Sequence, residues 1–566
     1  MKFEEFQLRV PQLKKVEKKL NGFIDNLSKA QSASEALNVI KKFNKYSDNL
    51  FSDATVVSIN YSLDTKNLVY AKAQDIMDEI SPYISNLYDK WNKIISKLPY
   101  RDELEKKLGH YYFQMIDNQL RTFDEKIIPE LVEENKLISQ YDKILGSAQI
   151  EFNGETLNLS QIGKYTTDSN REVRRAAYIA LDNWMGEHEE EIGNIYDRLV
   201  HLRDTIAKKL GFKNFIELSY LRLGRCDYNA QDVALYREQI AREVVPICQK
   251  LYKRQAKRLN MKQSKMATYD YNISFLTGNP KPAGDHDYLV LKAKEMYEDM
   301  SKESNEFINF MLDNHLMDLK ARDGKAPGGY ETYMAKYGSP FIFANFNGTA
   351  DDVATLTHEV GHAFQAYLSR NIKIPEYRNP TLEACEIHSM SMEFFAHKYM
   401  ESFFKEDMNK YLYSHIEGAI EFLPYGISID EFQHWVYENP NATHMERCAK
   451  FKEIESRYTP HKNYIDAPTF GHGAYWIRQA HVFSTPFYYI DYTIAQVCAF
   501  QFLGEMNKNR EKAWQKYVKL CKFGGQLPLV GLLKKNHLRN PMEEGNVKKA
   551  IAPAVKILNS IDDSKL

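Results

Sequence analysis

Apolar residues recur at three- and four-residue intervals through most of the chain, and this spacing predicts long helices over Ala71 to Lys136, Asn170 to Lys209, Asn229 to Leu259 and His286 to Leu312. Two stretches break the rhythm. Between Ala148 and Leu159 apolar and polar positions alternate on either side of Asn153-Gly154, which predicts a two-residue hairpin. A second β-rich stretch comprises Met317 to Arg322, a loop from Asp323 to Gly329, Tyr330 to Tyr333, and Pro340 to Phe346. The predicted fold class is mostly α with a small sheet. The hairpin suggests a nearby lobe boundary, and the expected division is an amino-terminal helical lobe over 1–190 and a region over 191–566, parts of which complete both lobes.

Composition narrows the function without naming it. The 566 residues carry 43% hydrophobic and 27% charged positions, the balance of an ordinary globular protein. Lys and Arg number 75 against 76 Asp and Glu, so no net field exists to gather nucleic acid or an anionic membrane, and neither is an expected partner. Six cysteines without a CxxC pair are too sparse for a disulfide scaffold; with no apolar leader at the amino terminus, they point to reduced thiols and a cytoplasmic protein. The greasiest segment, Phe487 to Leu503, is interrupted by Asp491, Gln496 and Gln501 and reads as a buried helix. The lysines between Lys14 and Lys19 read as a solvated helix face.

The candidate chemistry sits directly after the β-rich stretch. Thr349 and Asp352 suit a helix start, predicting a helix over about 350–369. At about 100° per residue, His358 and His362 share a face roughly 40° apart, opposite the apolar stripe of Val353, Leu356, Val360, Ala363, Phe364 and Tyr367. The string His358-Glu359-Val360-Gly361-His362 can direct two imidazole nitrogens at one Zn²⁺, with Glu359 beside the open coordination position as a general base. A catalytic zinc needs a third protein ligand. The metzincin pattern would need Gly and His where Gln365 and Leu368 stand, so a carboxylate is expected instead. Asn379-Pro380 opens a second helical pattern in which Glu383, Glu386, Glu393 and His397 fall near one face. Glu386 is the first choice of ligand and Glu383 the alternative, with Glu393 and His397 able to orient ligands from behind.

The segment from Phe346 to Gln365, followed by Glu386 to Glu393, resembles oligoendopeptidase F of the thimet oligopeptidase family of zinc metallopeptidases. The resemblance is dense from about Asp318 to Tyr492 and looser in the first third. It implies one zinc per chain on His358, His362 and Glu386. It also implies a helical bowl or clam of two lobes, with a deep central channel and a small sheet beside the zinc helix. The family's late loop, whose His and tyrosines stabilise an oxyanion and hold the substrate backbone, is similar to His481 to Tyr492 here. His481, Tyr489 and Tyr492 match best. The loop lacks the glycine pair of the thimet branch and is one residue shorter, so Tyr488 can exchange roles with Tyr489 in holding substrate.

The strand from Pro340 to Phe346, through Phe343 and Ala344, is expected to offer an edge to an extended peptide, with the Gly328-Gly329 loop folding over it. Together these readings imply an endopeptidase of short unfolded oligopeptides, working as a monomer or weak oligomer. The rivals are a zinc carboxypeptidase or dipeptidyl carboxypeptidase, for which no single Arg or Lys stands out as partner of a terminal carboxylate, and a non-catalytic peptide-binding protein.

Overall fold

The computed structural model describes every residue except Asp323 and Pro327, so two positions of the expected Asp323 to Gly329 loop lie outside the described residues. The chain is mostly helical, with two small sheets, as expected. The hairpin is present as β1 (Ile150–Phe152) and β2 (Glu155–Leu157), which pair antiparallel around Asn153 (φ 52°) and Gly154 (φ 78°). Two consecutive positive φ angles are what a type I′ turn requires, and Asn-Gly tolerates them.

The run expected from Ala71 to Lys136 is divided among helices at Leu68–Ser96, Arg101–Leu108, His110–Thr122 and Ile128–Gly146. Periodicity survives these short breaks, which is why the sequence reads as continuous. The next expected helix is one piece, α1 (Arg171–Lys209), started by Asn170, whose side chain accepts the amide N–H of Glu172. One hydrophobic core gathers side chains from Val16 to Ile116 together with Tyr377, and a larger one spans the hairpin, α1 and most of the remaining chain.

The second sheet comprises β3 (Met317–Lys320), β4 (Tyr330–Met334) and β5 (Ser339–Phe346), in the spatial order β3-β5-β4. This corrects the expectation of an edge strand at Pro340 to Phe346. Phe343 pairs with Asp318 of parallel β3 on one side and with Tyr330 of antiparallel β4 on the other, so β5 is central and both Phe343 and Ala344 are buried. Its unbroken apolar run is the signature of a covered strand rather than an edge. The edge lying toward the helix that follows β5 is β4.

Five further helices position the site: α2 (Ala350–Ser369), α3 (Leu382–Ala396), α4 (Met408–Glu438), α5 (His444–Tyr458) and α6 (Ile490–Phe523). From Ile490 to Gly504 nearly every residue of α6 is buried, with α3 its main neighbour and α2 and α4 also packed on it, and the helix breaks at Asn509. No helix among the described residues is long and apolar enough to cross a membrane.

Candidate metal centre and active site

The start of α2 is built as expected in position but not in detail. Asp352 accepts the amide N–H groups of Asn347 (2.9 Å) and Gly348 (2.7 Å), while the Thr349 hydroxyl donates to Asn347 Oδ1 instead of capping the helix. Similarly, α3 begins after Thr381 rather than at Asn379. The two helices meet closely at Gly361, where a Cβ would stand 2.6 Å from the Cα of Ser389. Only a residue without a side chain permits that approach, and it brings Glu386 opposite the two histidines.

His358 Nε2 and His362 Nε2 are 3.2 Å apart, and Glu386 Oε2 lies 3.2 Å from the first and 3.5 Å from the second. Metal–ligand bonds of 2.0–2.1 Å in a tetrahedral arrangement separate their donor atoms by about 3.3 Å, so this set fits a zinc ion. The protonation pattern fits as well. Burial opposes charge on Glu386, yet the two imidazoles hold its carboxyl well below the usual range, and burial of His358 is outweighed by the carboxylates of Glu386 and Glu393. His358 thus faces carboxylate oxygens with both ring nitrogens, an arrangement that needs a cation or an extra proton between them.

Glu386 is fixed from two sides, by the Ser389 hydroxyl on Oε2 (3.0 Å) and the Tyr488 hydroxyl on Oε1 (2.8 Å). Glu383, the alternative ligand, is engaged elsewhere: it accepts the Tyr228 hydroxyl and lies 3.5 Å from Arg225. Behind His358, Glu393 Oε1 lies 2.7 Å from Nδ1, and its other oxygen is 2.8 Å from His415 Nε2. Burial raises the Glu393 carboxyl, but hydrogen bonds from His358 and His415 override it and hold it down at about 2. His397 is one link further away, 2.9 Å from His415 Nδ1.

Glu359 is buried beside the cluster, and its Oε2 has no hydrogen-bond partner. Burial raises its carboxyl above the ordinary value, against the pull of His362 and His358. Glu331 on β4 neighbours it, pushed up to about 8 by burial and by Glu359 against the pull of His362. The backbone at Gly329 also passes close, since a Cβ there would lie 3.7 Å from Glu359 Oε1. Gly328 (φ 91°) offers its carbonyl to Asn345 Nδ2 at 2.8 Å, tying this turn to β5.

The late segment arrives from across the cleft. The Gln479 amide donates to His481 Nδ1 at 2.9 Å while its own oxygen accepts the Tyr425 hydroxyl at 3.2 Å, which leaves the His481 proton on Nε2. That nitrogen is 3.4 Å from the Tyr492 hydroxyl. Burial lowers the His481 pKa, so the ring is a neutral donor near pH 7. Tyr489 packs its ring against His481, Tyr425 and Tyr492, whereas Tyr488 reaches Glu386. Gln479, Glu331 and His415 were not legible as site residues. Only Glu331 left a trace, as the one charge in the strand Tyr330–Met334.

Residues 3–123 match the Peptidase M3 N-terminal domain and residues 289–550 match Peptidase family M3. The chain is 44% identical to PZ peptidase A, solved with inhibitor 2; each chain covers 100% of the other, with a TM-score of 0.96. It is 22% identical to oligopeptidase PepF of Bacillus subtilis, over 94% of this chain and 80% of that one. The fold also matches oligoendopeptidase-F of Enterococcus faecium at a TM-score of 0.66 and 16% identity, covering 98% of this chain and 97% of that chain. The resemblance carried by the histidine helix and the Glu386 segment therefore holds for the whole chain, which belongs to peptidase family M3.

Proposed function

We propose that this peptidase is a zinc metalloendopeptidase that hydrolyses internal bonds of short, unfolded oligopeptides. The observation that carries the reading is the convergence of His358 Nε2, His362 Nε2 and Glu386 Oε2 beside the unpartnered Oε2 of Glu359. His358, His362 and Glu386 would hold a zinc ion, which would supply Lewis acidity toward a water and the scissile carbonyl.

The chain's own groups do the rest. Glu359 takes the water proton and returns it to the departing amine, a task suited to a carboxylate whose pKa burial has raised. His481 Nε2–H and the Tyr492 hydroxyl donate to the carbonyl oxygen as negative charge grows there. Tyr488 and Ser389 hold Glu386, and Glu393 holds the His358 ring. An extended peptide adds along β4, whose outer edge takes over the pairing role that β5 cannot fill. Backbone pairing of this kind asks for an unfolded strand and tolerates varied side chains. The site is then inaccessible to folded proteins, which must pay for local opening before a strand can enter. The free cysteines agree with work in a reducing cytoplasm.

Mass spectrometry of products from a ladder of peptides sharing one cleavage sequence, extended stepwise at either end, tests this reading. Internal cleavage at the shared bond is expected throughout. Stepwise loss of one or two residues from the carboxyl terminus would instead establish the carboxypeptidase alternative.

A further inference from the structure

A second group of ligating side chains lies apart from the catalytic cluster, where α1, α5 and the turn before Ala474 meet. Glu189 Oε1 is 2.8 Å from His444 Nε2 and 2.7 Å from His472 Nε2, and Cys448 Sγ is 3.4 Å from the same His444 nitrogen. His444 and Cys448 occupy successive turns of one face of α5, as the two histidines do on α2.

The hydrogen-bond inventory does not close with a neutral His472, which needs a metal ion or an extra proton. His472 Nδ1 faces the Pro468 carbonyl at 3.1 Å while Nε2 faces the Glu189 carboxylate, so both nitrogens meet acceptors. His358 shows the same pattern in the catalytic cluster. His444 Nε2 in turn faces both Glu189 Oε1 and Cys448 Sγ, a nitrogen, oxygen and sulfur donor set converging on one point. Beside the sulfur lies the Trp476 indole, fully buried, its N–H unpartnered and placed to favour a thiolate.

The surroundings are shaped to this assembly. Gly193, one turn beyond Glu189, leaves room for the His444 ring, whose Nδ1 would lie 2.7 Å from a Cβ there. Gly473 (φ 112°) lets the turn touch α5, where a Cβ would collide with the Cys448 carbonyl. Asp182, two turns before Glu189 on α1, accepts the amide N–H groups of Thr469 (3.1 Å) and Phe470 (2.8 Å), fixing the same segment from its other end.

We propose that Glu189, His444 and Cys448, whose donor atoms lie within 4.8 Å of one another, form a second, structural metal site for zinc or a similarly borderline divalent cation, with His472, held on Glu189 from outside that group, moving in as the fourth ligand. Two imidazoles, a thiolate and a carboxylate are the donor types such ions take, and four protein ligands leave no open position for chemistry. Binding requires the nitrogen–oxygen contacts to open by about half an ångström, and releases the Cys448 proton to solvent. The thiol, pushed up to about 12 by burial, is protonated until the ion enters. The bound ion pins the turn that leads directly to Gln479 and His481, so it would secure the carbonyl-facing side of the catalytic cleft from a distance.

The test is metal stoichiometry together with cobalt spectroscopy on the full chain. After loading with Zn²⁺ and removal of free metal, the parent protein should retain two ions per chain, and Cys448→Ser or His472→Gln one. A His358→Ala/His362→Ala variant should retain one, and its Co²⁺ form should show a thiolate-to-cobalt charge-transfer band that Cys448→Ser abolishes. His472→Gln, at a partly exposed position, guards against misfolding as the cause of loss, with circular dichroism as the check. A parent protein that holds a single ion and shows no thiolate band with cobalt would overturn the proposal, leaving Glu189 as a hydrogen-bond clamp between two histidines.

Discussion

Tyr488 donates its hydroxyl to Glu386 Oε1 at 2.8 Å, on the oxygen opposite the one that faces His358 and His362. The late segment therefore reaches the proposed metal centre through the far side of Glu386 as well as through His481 and Tyr492. Removing that hydroxyl frees the carboxylate to rotate. Tyr488→Phe should weaken zinc binding by roughly 10–100-fold, the usual cost of losing an outer-shell partner. Glu386→Gln should lose more, because an anionic ligand disappears. Competition with a chelator of known affinity measures both, and equal retention by all three proteins would remove Glu386 from the ligand set.

Glu359→Gln keeps the shape of the side chain but cannot accept a proton. Zinc content should be unchanged while kcat falls by about 10²–10⁴. Turnover within tenfold of the parent would rule out the general-base role.

His481→Ala and Tyr492→Phe should each lower kcat by roughly 10²–10³ with little change in KM, since their hydrogen bonds strengthen only as the oxyanion forms. Gln479→Leu should produce a smaller loss of the same kind by freeing the tautomer. If KM alone rose, these residues would be binders of the ground state.

Gly361→Ala tests the crossing of α2 and α3. The added methyl meets the backbone of Ser389 and His388, which cannot yield as a side-chain tip can, and about 1–3 kcal/mol of stability should be lost. Denaturant unfolding measures this, and zinc affinity should fall with it because the two ligand-bearing helices are pushed apart.

His461 reports on acid stability. Stacked on Tyr252 with ring centroids 3.6 Å apart, it is held by burial down to about 3, against about 6.5 when unfolded. Between those values the unfolded chain binds the extra proton, so this residue should reduce stability as pH falls from about 6.5 to 3, by at most about 1.4 kcal/mol per pH unit. Above that window it contributes nothing. His461→Phe should flatten the profile in that range; identical profiles would show the ring is already solvated.

Much of this site was legible because its chemistry is local in sequence. His358, Glu359 and His362 are ordered by a single helical period, and the boundaries expected for α2 are those observed. Glu386 was preferred over Glu383 in the sequence, and the structure adds the reason Glu383 is engaged elsewhere, in Arg225 and Tyr228. The order of the sheet was hidden for a different reason. Strand β3 pairs with β5 in parallel, across intervening residues, and nothing in either strand's alternation announces which neighbour lies on which side. Gln479 and His415 carry no motif at all and matter only through the atom each one faces, His481 Nδ1 for the first and Glu393 Oε2 for the second.

The spacing of these groups along the chain also sets an order of acquisition. His358, His362 and Glu386 lie on successive helices, α2 and α3, whereas Gln479, His481, Tyr488 and Tyr492 follow only after α4 and α5. Synthesis runs from the amino terminus, so a nascent chain carries the proposed metal ligands well before the proposed carbonyl-facing groups exist. Helix α3, already packed on α2, is completed on its other side only by α6, where the Tyr517 hydroxyl closes on the His388 carbonyl at 2.9 Å. The groups of the late segment are thus the last part of the candidate site to leave the ribosome.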